Sequence, residues 1–223
     1  MAFAIAIDGP AGAGKSTIAK IVAKKMGAIY VDTGAMYRAI ALYLIRAGIS
    51  ADDKEGIEKS CDDASVSIEY KDGAQIVILN GENVNDYLRS EEVGNMASKS
   101  SANARVREKL VSLQRELAKT KDVVMDGRDI GTVVLPDANL KIYLTASAKT
   151  RAQRRAKELI EKGEEVDINV IEKEIIERDE RDMTREISPL KKADDAIEID
   201  SSDMSIEEVT QAIATLADKA ESR

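Results

Sequence analysis

The residues that could do chemistry begin nine positions into the chain. Gly9-Pro10-Ala11-Gly12-Ala13-Gly14-Lys15-Ser16-Thr17 fits G-x-x-x-x-G-K-[ST], a loop whose backbone N–H groups turn inward to cradle phosphates. Lys15 would reach the β and γ phosphates, and Ser16 would place a hydroxyl on the Mg²⁺ that bridges them. A bound nucleoside triphosphate follows as the working premise.

Three further groups could take a second phosphate. Asp126-Gly127-Arg128-Asp129 follows an apolar run. There Asp126 would orient Mg²⁺, directly or through water, Arg128 would grip a phosphate, and Asp129 would accept hydrogen bonds from a base. Asp32-Thr33-Gly34-Ala35-Met36-Tyr37-Arg38 follows another such run. Either Thr33 and Arg38 face the same crevice, or Thr33 caps a helix and Arg38 is exposed, or both hold together.

Arg178, Arg181, Asp182 and Arg185 fall on one helical face. In one reading that face is solvated and Arg178 pairs with Asp182. In the other, the like-charged pair Arg181 and Arg185, which costs a helix about 0.2–0.5 kcal/mol, is relieved by an anion. Arg151, Arg154 and Arg155 repeat the pattern one helix earlier, as a charged exposed face or as part of a lid over phosphates.

The elements that must position these groups are legible in the hydrophobic pattern. Apolar runs at Phe3 to Ile7, Ala28 to Val31, Asp122 to Met125, Leu140 to Leu144 and Ala196 to Ile199 are of strand length and alternate with helical stretches. That order predicts an α/β fold, a doubly wound five-stranded parallel sheet. The helix after the glycine-rich loop carries Ile18, Ile21 and Val22 at helical spacing and stops at Gly27.

Two segments interrupt the alternation. Residues 34–103 form a long excursion, with helices expected at 35–47 and 52–64. Within it, Val66, Ile68 and Tyr70 alternate, Asp72-Gly73 and Asn80-Gly81 mark turns, and Gln75 to Leu79 reads as a strand, giving a small antiparallel meander. Residues 150–186 read as two charged helices. The first runs from Ala152 to Lys162 and ends at Gly163; the second is capped by Asp167 or Asn169, striped by Ile168, Ile171 and Ile175, and broken at Ser188-Pro189.

Composition excludes several chemistries. The chain of 223 residues has no histidine, so no imidazole serves as base, nucleophile or ligand. Cys61 is the single cysteine, which leaves no internal disulfide or thiolate cluster and fits a reducing cytoplasm. A net charge of −8 argues against a general nucleic-acid binder. No run approaches the length of a membrane span or a signal segment, and no long apolar seam is left for a partner copy, so a cytoplasmic monomer is expected.

Taken together, the glycine-rich loop, Asp32 to Arg38, Asp126-Gly127-Arg128-Asp129-Ile130-Gly131-Thr132-Val133-Val134 and Arg178-Asp179-Glu180-Arg181-Asp182 closely resemble the bacterial cytidylate kinases, over essentially the whole chain. The resemblance implies transfer of the γ-phosphoryl group of ATP to CMP or dCMP, with Mg²⁺. It implies a P-loop core at 1–33, 104–149 and 187–223, a nucleoside-monophosphate-binding domain at 34–103 whose insertion spans about 64–97, and a lid at 150–186.

By the same resemblance Ser98, Arg107 and Asp129 read the cytosine edge, and Arg38, Arg128 and Arg185 clamp the CMP phosphate. Arg178 and Asp182 hold the ribose, Thr33 lies beside the nucleotide, and Arg151, Arg154 and Arg155 belong to the lid over ATP. Lys15, Arg128 and Arg185 are the expected catalytic groups. Two other classes remain open on the residues alone: a kinase for another monophosphate or a small metabolite such as shikimate, and a nucleotide-dependent switch. The switch would lack a second phosphate site.

Overall fold

The computed structural model describes residues 2–222. Strand β1 (Ala4–Asp8) leads through the glycine-rich loop into helix α1 (Lys15–Met26), and β2 (Ile29–Asp32) leads directly into α2 (Thr33–Arg46). α3 (Lys54–Cys61), β3 (Val66–Lys71), β4 (Ala74–Leu79), β5 (Glu82–Asn83) and α4 (Glu91–Ser100) form the excursion. α5 (Ala104–Thr120) returns to the sheet at β6 (Val123–Gly127). β7 (Leu140–Thr145), α6 (Ala148–Glu161), α7 (Ile168–Thr184), β8 (Ile197–Asp200) and α8 (Ile206–Glu221) complete the chain.

All five expected core strands are present, each within one or two residues of its apolar run. They pair in parallel in the order β2-β6-β1-β7-β8, so the sheet is doubly wound with β1 near its centre. Alternation along β1 sends Ala4 and Ala6 to one face, packed with α2 and α5, and Ile5 and Ile7 to the other, packed with α1 and α8. Each such isoleucine, with no exposed surface, is worth about 1.5–3 kcal/mol relative to a solvated one.

Glycine is required where β1 leaves the sheet. Gly9 has φ 150°, and a Cβ there would stand 1.9 Å from the carbonyl oxygen of Leu144 on β7. The loop therefore starts pressed against the neighbouring strand. It ends with Gly14 in the left-handed region at φ 86°, the residue before α1.

The meander forms as a three-stranded antiparallel sheet, β3-β4-β5. Asp72 and Gly73 (φ 53° and 76°) and Asn80 and Gly81 (φ 49° and 85°) make its two turns, the positive pairs that match the twist of two-residue hairpins.

Several expectations shift. The helix expected at 52–64 is shorter, capped by Asp53, and α4 appears where no helix was anticipated. Asp167 is the cap of α7, but Ile168 is 39% exposed because it precedes the turn at which α7 meets α6; Ile171 and Ile175 make that contact. α7 stops at Thr184, ahead of Ser188-Pro189. The chain folds back there, and the N–H of Leu190 donates to the carbonyl of Asp182 at 2.7 Å.

Candidate active site

The carboxyl ends of β1, β2 and β6 converge on one crevice, and the residues at their last positions form its floor. Asp126, on β6, is 5% exposed. Its two carboxylate oxygens accept from the Ser16 hydroxyl (2.9 Å) and from Tyr30 Oη (2.8 Å). Burial, and then the nearby Asp32, raise the Asp126 carboxyl above its usual range, while Lys15 pulls against them. Burial and the Asp126 charge likewise push the Tyr30 phenol upward, so it stays a donor.

Lys15 opens α1 and is 6% exposed, its ammonium donating to the carbonyl of Pro10 at 2.7 Å. Burial, with Arg128 adding to it, lowers its pKa to about 7. Asp126, Asp8 and Asp182 pull the other way, and a polyanion at the loop would add to their effect and favour the charged ammonium.

Asp8, the last residue of β1, carries no role in the sequence reading, and the structure gives it one. Its carboxylate accepts from the N–H groups of Ile130 and Gly131, both at 2.7 Å. Burial outweighs those bonds and pushes its pKa up to about 6. Those two residues open a wide turn in which Val134 and Leu135 donate to carbonyls five residues back. A carboxylate closing an apolar strand just before the glycine-rich loop was the available signal.

Thr33 does not cap α2. Asp32 does, accepting from the Ala35 N–H at 2.9 Å, and this frees the Thr33 hydroxyl to donate to the carbonyl of Asp126 at 2.6 Å. β2 and β6 are thereby tied at their ends. Arg38, one turn into α2, is half-buried; burial and the nearby Arg89 and Arg128 charges lower its pKa, against the pull of Asp32.

On the opposite wall Asp182 pairs with Arg128, Nε to Oδ2 at 2.9 Å, rather than with Arg178. Burial opposes ionisation of Asp182, but Arg128 and Arg178 together pull its pKa below the usual carboxylate value. Arg178 is left with a buried Nε that has no partner, and burial beside Arg128 lowers its pKa to about 10. Arg181 is exposed on α7. Arg185 lies just beyond the helix end; its Nε donates to the carbonyl of Ser188 at 2.5 Å, and its Nη2 is buried without a hydrogen bond.

Deeper in the crevice Arg107 pairs with Asp129, each only 4% exposed, and Arg185 Nη2 stands 3.9 Å from the other oxygen of Asp129. Burial raises the Asp129 carboxyl and the two arginines offset part of it. The Tyr37 ring lies under the Arg107 guanidinium at 5.6 Å, with its hydroxyl buried and unpartnered. Ser98 is half-buried on α4.

The arginines of α6 do not act as one face. Arg151 is 5% exposed and turns inward: Nε donates to the Ala146 carbonyl (2.9 Å), Nη1 to the Ala11 carbonyl (2.9 Å) and Nη2 to Asp179 (2.6 Å). It straps the glycine-rich loop to α7. Arg154 donates to Ser201 beyond β8, and Arg155 pairs with Glu158 at the surface.

The arrangement sets a glycine-rich loop, a hydroxyl and a carboxylate beside four arginines, two of which carry buried N–H groups with no acceptor. None of the described helices is long and apolar enough to cross a membrane. No cluster of three metal-ligating side chains exists among the described residues. Ser16 with Asp126 instead offers the sparse oxygen set that suits an Mg²⁺ which keeps its waters and takes phosphate oxygens.

The family profile described as "Cytidylate kinase" matches residues 5–219. The cytidylate kinase of Caldicellulosiruptor saccharolyticus is 54% identical over 212 residues, 95% of this chain and 94% of the relative. That of Caldicellulosiruptor bescii is 53% identical over the same shares. Among solved structures, a gluconokinase from Sinorhizobium meliloti superposes with a TM-score of 0.51 at 14% identity, covering 99% of this chain and 94% of that one, a likeness of fold.

Proposed function

The chain belongs to the cytidylate kinase family, and we propose from that premise that its crevice joins two nucleotides in line, ATP on the glycine-rich loop and CMP or dCMP among the arginines. One observation carries the acceptor half. Arg38, Arg128, Arg178 and Arg185 line the crevice, and buried N–H groups of Arg178 and Arg185 have no acceptor. Buried donors without partners cost about 1–3 kcal/mol each, and a phosphate monoester with its ribose supplies the oxygens that satisfy them.

In this reading residues 9–17 hold the triphosphate, with Lys15 on its terminal phosphates and Arg151 bracing the loop from behind. Arg154 and Arg155 belong to the lid at 150–186. Mg²⁺, held through Ser16 and Asp126, would supply charge neutralisation between the β and γ phosphates. Arg38, Arg128 and Arg185 orient the acceptor phosphate, Arg178 and Asp182 hold its ribose, and Thr33 sits beside it. Ser98, Arg107 and Asp129 face the cytosine edge, within a monophosphate-binding domain at 34–103. The P-loop core at 1–33, 104–149 and 187–223 carries both.

The chemistry needs no base from the protein. The second pKa of a phosphate monoester is about 6, so the attacking oxygen is already ionised at neutral pH. It forms a bond to the γ phosphorus as the bond to the ADP bridging oxygen breaks, and ADP departs with that electron pair. Catalysis then consists of bringing two polyanions together in line and neutralising them, which suits a site of arginines and lysine in a chain without histidine. We propose a cytoplasmic monomer with no nucleic-acid partner, a reading supported by the unpaired buried Cys61 and the net charge of −8.

A coupled assay of ADP formation with CMP, dCMP, UMP and AMP tests this. The expected result is turnover with CMP and dCMP far above AMP. Arg185→Ala should raise the KM for CMP by about one to two orders of magnitude, the worth of a charge-assisted hydrogen bond, with the KM for ATP little changed. Preference for AMP, or wild-type CMP kinetics in Arg185→Ala, would overturn the assignment.

A further inference from the structure

The outer edge of β2 is closed by side chains instead of a strand. β2 is the last strand on its side of the sheet, and its inner edge is taken by β6, with the Ile29 N–H donating to the Asp122 carbonyl at 2.9 Å. Alternate residues along a strand offer their backbone groups to alternate edges, so Tyr30 and Asp32 face outward. Tyr70 and Gln75, directly opposed on β3 and β4, reach that edge.

Tyr70 Oη donates to the Tyr30 carbonyl at 3.1 Å. Gln75 takes both groups of Asp32: its Oε1 accepts from the Asp32 N–H at 2.8 Å, and its Nε2 donates to the Asp32 carbonyl at 3.2 Å. Gln75 is itself braced from behind, because Asn85 Nδ2 donates to its carbonyl at 3.0 Å and Asn85 Oδ1 accepts from the Val77 N–H at 2.9 Å.

Asp32 is the joint between sheet and site. Its side chain caps α2, its second oxygen pairs with Arg89 at 3.3 Å, and the next residue ties to Asp126. Arg38 stands one turn further along α2. We propose that Gln75 is a positioning residue for phosphoryl transfer: by gripping the peptide groups on both sides of Asp32, it fixes the direction in which α2 leaves the sheet and so places Arg38 on the acceptor phosphate. The meander is then part of the acceptor site although no residue of its strands touches the acceptor. This inference rests on the reading of Arg38 as a ligand of that phosphate.

The test compares wild type, Gln75→Met and Tyr70→Phe by thermal unfolding and by the KM for CMP and for ATP. Gln75→Met should raise the CMP KM by about fivefold or more, the scale of a lost hydrogen bond, with the ATP KM within about twofold. Its unfolding midpoint should fall only slightly, since water can reach the vacated edge. Tyr70→Phe frees the same edge two residues before the joint and should leave the CMP KM within about twofold of wild type.

A wild-type CMP KM in Gln75→Met, a parallel rise for both nucleotides, or an equal rise in Tyr70→Phe would overturn the proposal. Wild-type protein that transfers nothing to CMP would remove the acceptor reading and this inference with it. Wild-type activity with an unaffected Gln75→Met removes the inference alone.

Discussion

Replacing Arg151 by methionine should both destabilise the protein and loosen its hold on ATP. The guanidinium makes three hydrogen bonds of 2.6 to 2.9 Å, to Ala146, Ala11 and Asp179, and its stem lies where a Cβ on Gly12 would meet it at 3.4 Å. Methionine keeps most of the stem and none of the donors. Asp179 is 8% exposed and its Oδ1 is already unpartnered, so the substitution leaves a buried carboxylate with nothing to neutralise it.

Breaking a buried pair from one side costs about 3–5 kcal/mol. At about 2–4 °C per kcal/mol for a chain of this size, the unfolding midpoint should drop by about 6–20 °C. The double variant Arg151→Met with Asp179→Leu, which removes the orphaned charge as well, should recover most of that loss. The KM for ATP should stay raised in both, because the Ala11 carbonyl has lost its strap. Thermal unfolding, urea unfolding and initial rates on the four members of the cycle measure the midpoint, the free energy and the KM. A midpoint unchanged in Arg151→Met, or an ATP KM restored along with stability in the double variant, would refute the argument.

Two other outcomes follow from the crevice floor. The folded pKa of Asp8, about 6, lies above its unfolded value, so the folded state binds the extra proton and stability falls as pH rises from about 4 to 6. Asp126 and Asp129 shift in the same direction, so Asp8→Asn should flatten that slope only in part; an identical slope in urea titrations of the variant and wild type would contradict the assignment. Tyr30→Phe removes the donor to one oxygen of Asp126 and should cost about 1–3 kcal/mol in urea while raising the Mg²⁺ concentration for half-maximal rate; wild-type behaviour in both measurements would dismiss Tyr30 as a support for that carboxylate.

What could be read from the sequence was what depends on neighbours in the chain. Strand alternation, the turn pairs Asp72-Gly73 and Asn80-Gly81, and the loop from Gly9 to Thr17 are local patterns, and each formed where its composition placed it. Side-chain partnerships are not local. Asp182 was offered Arg178 by helical spacing and took Arg128, 54 residues away, because β6 and α7 bring that pair together in a buried wall. Arg151 met Asp179 and the loop carbonyl by the same kind of long-range placement. The cap of α2 went to Asp32 for a local reason, since a carboxylate one residue earlier reached the N–H of Ala35 first.

The carboxylate of Asp8 also limits what can change in the turn after β6. The glycine-rich loop and the turn after β6 hang from one residue, the strand end that opens the first being the one whose two oxygens hold the N–H groups of Ile130 and Gly131. Exchanging the side chains at 128 and 129 leaves those backbone bonds in place but strips Asp182 and Arg107 of their buried partners, so a change there needs a matching change across the pair. Lengthening the turn by a single residue between Gly127 and Gly131 would pull the N–H pair off Asp8 and leave a buried carboxylate unsatisfied beneath the glycine-rich loop. The turn is held in length by Asp8 and in chemistry by the buried partners of Arg128 and Asp129.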